Sequence, residues 1–335
     1  MGTHAGVPLR GQRVSDIQQR IRDEAKRALA QRGAVCVIGF RQGRKPWRVT
    51  PHFAATPEQA DRFVWNAACA GNLATYVIAA PKPVAVMLKG CDARALVTLL
   101  QEHQVERDQV YIIGLPCGGM IDLDRLQPSN SAAWESVTGL DGSAGEIVVT
   151  ANGEEHRVAR AEALLARCRA CAHPTPGLYD VLVGDPIAPG AAEAERYARV
   201  AEIEAMEPLA RRRYWLEQFE RCIRCNACRN VCPLCYCREC VADLRQPRFV
   251  ARWPNPEDNL LFQCVRAWHA AGRCIDCGEC ERACPMGLPL RELGRKLEKE
   301  LRDVFGYEAG LDCECAPFLA QFAESDEGRS VAGHE

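Results

Sequence analysis

The sequence predicts two parts of different class: an amino-terminal α/β domain with a mostly parallel sheet, then a mainly helical, cysteine-dense domain. Three observations carry that reading. Short apolar, β-branched runs alternate with helix-period segments through residues 14 to 188. From 189 to 221 the chain becomes charged and helical, with little that would form a sheet. Fourteen of the twenty cysteines fall after Arg221. The 335 residues suffice for two cores. The expected organisation is a flexible terminus over 1–13, the α/β domain over 14–188, a helical connector over 189–221, the cysteine-dense domain over 222–310 and a tail over 311–335.

The elements follow in order. In VSDIQQRIRDEAKRALAQRG, Ile17, Ile21, Ala25, Ala28 and Leu29 recur at helical spacing, with Ser15 as cap and Gly33 as stop. AVCVIGF reads as a buried strand, TPEQADRFVWNAA as a helix, PVAVMLK as a strand, DARALVTLLQEHQV as a helix and DQVYIIGLPC as a strand. GEIVVTANGEEHRV reads as a hairpin turning at Ala151-Asn152-Gly153, where Asn-Gly supplies the positive φ of a tight turn. AEALLARC reads as helix and YDVLVGDP as a last strand. Beyond the connector, NLLFQCVRAWHAAGR and LRELGRKLEKEL carry helical periodicity.

Forty-two basic against 44 acidic residues leave no global field for nucleic acid or an anionic membrane. No apolar run approaches the roughly 18 residues that span a bilayer, and the opening MGTHAGVPLRGQR has neither an apolar signal core nor a twin-arginine pair. A soluble, cytoplasmic chain is expected. Twenty cysteines in that setting point to metal or redox chemistry rather than to disulfides.

Their spacing sharpens this. CIRCNACRNVCP begins at Cys222 and CIDCGECERACP at Cys274. A cubane iron-sulfur cluster needs four converging thiolates; a CxxCxxC turn supplies three, and in two-cluster proteins the trailing cysteine before proline serves the other cluster. Cys222, Cys225, Cys228 and Cys284 therefore form the first expected 4Fe-4S ligand set, and Cys274, Cys277, Cys280 and Cys232 the second. Pro233 and Pro285 follow the trailing cysteines and stop the local turn from continuing as helix. Zinc also uses CxxC pairs, but runs of three cysteines with a proline-marked fourth do not divide naturally into tetrahedral sets. Residues 233 to 273 separate the copies, more than a compact bacterial ferredoxin uses. This half accordingly resembles the helical ferredoxin variant of heterodisulfide reductases and succinate dehydrogenases.

Four earlier cysteines end strands or helices: Cys91 after VAVMLKG, Cys117 after VYIIGLP, and Cys168 with Cys171 after a helix. Carboxyl ends of strands in an open sheet face a common crevice, so these four thiols form a candidate third cluster; the alternative is that Cys91 and Cys117 are small core residues. The stretches VAVMLKGCDARALVTLLQEHQVERDQVYIIGLPCGG and CRACAHPTPGLYDVLVGDP resemble the beta subunit family of deazaflavin (coenzyme F420) reducing hydrogenases and formate dehydrogenases. The likeness spans roughly residues 14 to 190. It implies a 4Fe-4S cluster on Cys91, Cys117, Cys168 and Cys171 beside a flavin. A glutamine- and glycine-rich amino terminus, used by the family to hold FAD, has no counterpart before Gly33, GxGxxG is absent, and Ala172-His173 replaces a carboxylate common after the CxxC. Gly114, Gly118 and Gly119 would let a flavin approach closely, or serve the cluster itself.

Cys235, Cys237, Cys240 and Cys264 are left over, either as a fourth metal centre or, the favoured reading, as small buried residues near the clusters. Cys313 and Cys315 are placed to reach a partner, and Cys36 and Cys69 read as core. His173 and His269 are expected as hydrogen-bond partners rather than ligands. Lys89 and Arg94 flank Cys91, where positive charge would stabilise a reduced cluster. Arg211, Arg212 and Arg213 read as an exposed helix face, with docking of an acidic partner as the second reading. With no catalytic triad, hydrolase signature or nucleotide loop, no catalytic residue is assigned. The expected function is electron transfer through three 4Fe-4S clusters, in a soluble anaerobic complex of hydrogenase, formate dehydrogenase or heterodisulfide-reductase-like type, with catalytic and flavoprotein subunits as partners. The alternatives are a flavin-containing subunit exchanging electrons with a deazaflavin or nicotinamide, and a zinc-stabilised scaffold.

Overall fold

Alternating apolar runs and helix-period segments build the first of two compact units, which comprises the chain up to Ala93 together with Arg107–Arg196; Arg94–Glu106 belongs with the chain from Tyr197 onward. The computed structural model describes residues 14–45, 47–123, 126, 137–142, 145–190 and 193–321. The expected flexible stretch 1–13 and the end of the tail lie outside the described residues.

In the first unit α1 (Val14–Gln31) buries Ile21, Ala25 and Ala28. It starts before Ser15, which therefore lies within the helix rather than capping it, while Gly33, at φ +69°, ends it as expected. β1 (Cys36–Gln42) follows and pairs antiparallel with β2 (Val49–Ala54), a strand the sequence did not announce. Half-exposed and carrying Pro51, β2 sits at the sheet edge, where a missing N–H is tolerated. The helix expected after Thr56 is a single turn, α2 (Pro57–Ala60). It stops because Phe63 is drawn into the core against β1: Val64 N–H donates to the Phe40 carbonyl at 2.9 Å, and Gly39 leaves the space that the Phe63 ring fills.

β3 (Val84–Leu88), wholly buried, leads into α3 (Gly90–Gln101), and β4 (Val110–Gly114) runs parallel to β3. β5 (Val137–Gly142), β6 (Glu146–Ala151) and β7 (Glu154–Ala159) form a separate antiparallel sheet. The β6–β7 turn has Asn152 and Gly153 both at positive φ, the two-residue geometry that matches strand twist. The helix expected through AEALLARC is broken into α4 (Arg160–Ala163) and α5 (Ala166–Arg169). Leu164 and Leu165 between them are extended and bond the backbone of 120–121, with Leu165 N–H donating to the Met120 carbonyl at 2.9 Å. β8 (Val181–Leu182) completes the main sheet in the order β2-β1-β3-β4-β8, parallel except at β2.

The second unit has no strand among its described residues. α6 (Glu193–Glu204) and α7 (Pro208–Glu220) precede the first cysteine motif, which contains α8 (Ala227–Asn230). Between the motifs lies α9 (Pro256–His269), capped by Asn255, whose side chain accepts from Asp258 N–H at 2.9 Å. α10 (Glu279–Arg282) lies in the second motif and α11 (Leu290–Phe305) follows it, ending at Gly306 in the left-handed region. Phe219, Phe262, Leu288 and Leu290 pack with Cys222 and Cys228 as its core. Among the described residues no helix is long and apolar enough to cross a membrane.

Candidate iron-sulfur centres

The two motifs fold alike, residue for residue. In the first, Arg224 and Asn226 hold φ of 48° and 62°; in the second, Asp276 and Gly278 at the same motif positions hold 53° and 63°. Left-handed backbone at three side-chain-bearing residues is costly, and its repetition marks a turn that the thiols require rather than an accident of packing. Each loop then enters a one-turn helix and closes identically: Cys232 N–H donates to the Arg229 carbonyl at 3.2 Å, and Cys284 N–H to the Glu281 carbonyl at 3.1 Å.

In the first loop, Cys222, Cys225 and Cys228 line one small cavity together with Cys284, which comes from the other motif. Ile223, Phe262, Met286 and Leu288 complete much of its wall, and no carboxylate or imidazole lines it. Four thiols in an apolar wall fit a soft, sulfur-ligated centre. Asn259 on α9 donates to the Phe219 and Cys222 carbonyls at 3.0 and 2.8 Å, and the Gln263 amide donates to Cys222 Sγ at 3.6 Å.

Around the second loop, burial raises Cys280 to about 11, with Arg266 opposing and Cys232 adding to the shift, so Cys232 and Cys280 are electrostatic neighbours. Cys274 is pushed well above the ordinary thiol range, first by burial, then by Asp276, Glu298 and Cys277. Its sulfur packs on Gly294 of α11, where a Cβ would come within 3.1 Å of it. The loop is clamped: Arg291 bonds both oxygens of Asp276, at 2.6 and 2.7 Å, and Arg295 Nε adds a contact of 3.4 Å. The Arg94 guanidinium belongs to this loop, donating to the carbonyls of Ile275 at 3.4 Å and Ala309 at 2.7 Å and pairing with Glu308. This corrects the expectation that Arg94 serves Cys91: its long side chain is taken up instead by the carbonyls of Ile275 and Ala309, within the same compact unit.

In the first unit Cys91 and Cys117 follow the carboxyl ends of the adjacent parallel strands β3 and β4, and α5 carries Cys168. Cys117 is pushed up to about 12 by burial, then by Cys168 and, more weakly, Cys171; Cys117 in turn acts on Cys91. The four thiols thus share one neighbourhood. Met120 N–H donates to Cys168 Sγ at 3.4 Å. Gly90 makes the approach feasible, since a Cβ there would lie 1.8 Å from the His173 carbonyl oxygen. Beneath Cys91 the buried Lys89 pairs with Asp92 at 2.8 Å and donates to the Gly71 carbonyl at 2.7 Å. Burial opposes its charge, but Asp92, Cys91 and Cys117 outweigh burial and keep the ammonium charged.

A cavity of about 450 Å³ in this unit is lined by Gly118, Gly119, Trp65, Arg157 and Arg160. Gly114 is not part of it; it lies within β4, where a Cβ would come 2.9 Å from that of Tyr179. Gly119, at φ +96°, also accommodates Leu164 and Cys168.

The leftover cysteines separate. Cys235, Cys237 and Cys240 line a cavity of about 670 Å³ in the second unit, whereas Cys264 lines another with Trp215 and Leu293, so the four do not assemble as one site. Cys235 hydrogen-bonds Cys232, which lowers Cys235 and raises Cys232. Cys36 and Cys69 are buried core, as read; Cys313 is half-buried and Cys315 exposed. His269 is exposed, as are Arg212 and Arg213, while Arg211 donates to the Glu204 carbonyl at 3.0 Å. Among the described residues no three cysteine, histidine, aspartate or glutamate side chains close on a single-ion position. The sequence reading missed Asn259, Gln263 and Arg266 of α9, whose spacing of four and three residues was the available signal. It also missed Asp276 with its α11 arginines.

Comparison with known proteins agrees with this division. Residues 82–203 match the family described as the C terminus of the coenzyme F420 hydrogenase/dehydrogenase beta subunit, and residues 221–289 match a 4Fe-4S dicluster domain. The chain is 27% identical over 339 residues to the F420-dependent formate dehydrogenase subunit beta of Methanocaldococcus jannaschii, covering 84% of this chain and 89% of that protein. It is 26% identical over 345 residues to the F420-dependent formate dehydrogenase 1 subunit beta of Methanococcus maripaludis, covering 84% and 88%. A solved structure of a xenon-derivatised F420-reducing NiFe hydrogenase complex from Methanosarcina barkeri matches 61% of this chain and 84% of its own, with 18% identity and a TM-score of 0.38.

Proposed function

We propose that this chain is an iron-sulfur electron-transfer subunit of an anaerobic, cytoplasmic oxidoreductase complex of hydrogenase or formate dehydrogenase type, relaying electrons through three 4Fe-4S clusters. The observation that carries the reading is that Cys284, from the second motif, lines the cavity of the first loop with Cys222, Cys225 and Cys228; the influence of Cys232 on Cys280 supports the reciprocal exchange. A chain that held two independent tetrahedral ions would have no need to exchange its fourth cysteines. The third cluster is read on Cys91, Cys117, Cys168 and Cys171, supported by their shared neighbourhood. When bound, each cluster takes up and gives back one electron at a time. The protein's own groups hold the thiols in place and set the field around them. The names of the relatives, each a beta subunit of an F420-dependent formate dehydrogenase, support partner subunits in a larger oxidoreductase complex.

The test is the iron, acid-labile sulfide and flavin content of the full chain purified without oxygen, together with the proteins that accompany it. Three cubanes require about twelve iron and as many sulfide; zinc without sulfide would sink the proposal.

A second reading rests on the cavity beside the third thiol set. Its volume, about 450 Å³, falls within the range of cofactor sites, and Gly118, Gly119, Trp65 and Arg160 offer close backbone approach, an aromatic face and a cation. A flavin such as FAD would exchange electrons there with a deazaflavin or nicotinamide. Stoichiometric flavin absorbance in the purified chain supports this reading, and its absence after gentle purification opposes it.

A further inference from the structure

Of the twelve thiols read as cluster ligands, Cys225 of the first loop alone is exposed to solvent. Electron transfer between proteins falls steeply with distance, so the thinnest cover over a centre is where a partner gains most by docking. The surface around Cys225 is apolar and aromatic. Ile223 is 52% exposed, and the Arg224 side chain turns to the Ala251 and Trp253 carbonyls, which pins residues 251–253 against the loop. Trp253 stands on that pinned stretch, 75% exposed, with the Arg252 guanidinium 5.7 Å from its ring centroid.

The charge here is one-sided. From Arg221 to Pro256 the chain carries seven arginines against Glu239 and Asp243, in a protein whose net charge is −2. Asp243 takes up Arg229 at 2.6 Å. Among the described residues Arg221, Arg245, Arg248 and Arg252 are exposed and have no carboxylate partner. The second loop has the opposite sign: residues 274–285 hold Asp276, Glu279 and Glu281 against Arg282, and none of its thiols is exposed. Single exposed apolar side chains are ordinary. A tryptophan and an isoleucine beside an exposed ligand thiol, with uncompensated arginines close by in the chain, have the composition of a binding surface.

Resting on the reading of the first loop as a cluster site, we propose that this face, with Ile223, Cys225 and Trp253 at its centre and Arg221, Arg248 and Arg252 about it, is the docking surface for an acidic electron-carrier protein. The arginines alone would also suit nucleic acid or an anionic membrane; the exposed ligand thiol favours a redox partner. One electron crosses the contact: the centre of the first loop is oxidised by one electron and the carrier's redox centre is reduced by one, or the reverse, with no proton or covalent bond exchanged. The arginines steer the encounter, and the tryptophan supplies the close apolar contact.

The experiment takes the full chain purified without oxygen, reduces it with dithionite, removes the excess, and follows electron transfer to an acidic plant-type 2Fe-2S ferredoxin by stopped flow. Iron and sulfide analysis and electron paramagnetic resonance accompany each variant. The rate constant is expected to fall about tenfold between roughly 50 and 500 mM salt, whereas with cytochrome c, a basic carrier, the salt dependence has the opposite sign. Arg248→Glu combined with Arg252→Glu lowers the ferredoxin rate about tenfold at low salt and flattens its salt dependence, while transfer to a neutral quinone is unchanged. Trp253→Ala lowers the ferredoxin rate at every salt concentration. A ferredoxin rate that ignores salt, or that survives the paired charge reversal with the clusters intact, overturns the inference and leaves the cluster reading standing. So does salt-sensitive binding to phosphatidylserine vesicles or duplex DNA without binding to ferredoxin. If the paired reversal disturbs the clusters or slows the quinone equally, Trp253→Ala decides, and an unchanged rate there overturns the inference. Zinc without sulfide in the unaltered chain is the separate result that removes the cluster reading itself.

Discussion

The two cysteine loops have the same backbone and different supports. The first is braced from the surface: Arg224 donates to the Ala251 carbonyl at 2.7 Å and to that of Trp253, and Ala251 N–H in turn donates to Asp258 at 2.7 Å. The second is braced from within, by the near-buried pair of Arg291 with Asp276 and by the Arg94 contacts to Ile275 and Ala309. Cys225 of the first loop is exposed; its counterpart Cys277 is half-covered. Identical ligand spacing therefore specifies a turn but not its surroundings. Since cluster potential follows charge, hydrogen bonding and solvent access, twin motifs are a poor guide to twin behaviour.

The largest effect that would break the comparison is a ligand swap. Under the crossed assignment, Cys284→Ser removes the centre of the first loop and Cys232→Ser that of the second, each losing about four of twelve iron. Resonance spectra of the two variants distinguish which centre remains. If Cys232→Ser instead abolished the first loop's signal, the loops would be self-contained and the crossing wrong.

Next comes the inequality of the braces. Asp276→Ala removes the bidentate partner of the buried Arg291 and one contact of Arg295, and removal of one partner from such a buried pair costs about 3–5 kcal/mol. Arg224→Ala breaks bonds at the surface and costs about 1 kcal/mol or less. Denaturant unfolding of the full chain measures both, and equal losses would erase the distinction between inner and outer support.

The smallest effect is a pH dependence confined to the first loop. Hydrogen bonds from Asn255 and the Ala251 N–H hold Asp258 below the ordinary carboxylate range. A depressed folded-state value contributes stability that is present above the unfolded-state value of about 3.9 and is lost as pH falls through the lower folded-state value. The stability difference between the unaltered chain and Asp258→Asn should therefore be a few tenths of a kcal/mol at neutral pH, Asp258 being partly exposed to solvent and so screened, and shrink only below about pH 4. Titrating unfolding free energy against pH checks this; a difference that persists to pH 2 contradicts it.

What was legible in the sequence follows from how local each feature is. The alternation of β3, α3 and β4 and the hairpin at Asn152-Gly153 were readable because pattern and turn chemistry agree within a few residues. The cysteine loops were readable because three of every four expected ligands sit within seven residues. β2 escaped because an edge strand with Pro51 lacks alternation, and the helices expected after Thr56 and through AEALLARC were cut short by long-range demands of Phe63, Leu164 and Leu165 that no window displays. Arg94 was assigned by its neighbour in sequence, and the structure assigns it by the carbonyls within its reach. Gly114 was grouped with Gly118 and Gly119 by adjacency, although β4 carries it into the packed sheet.

Gly90 supplies no thiol, yet its missing carbon is what lets the His173 carbonyl pass at its actual height. One added methyl group there forces apart the two chain segments that bring Cys91 and Cys171 into the same neighbourhood. The proposed third centre would thus have a point of failure that a census of cysteines does not reveal: all twenty thiols would remain, both cysteine loops would keep their folds, and the proposed relay would be missing one stage.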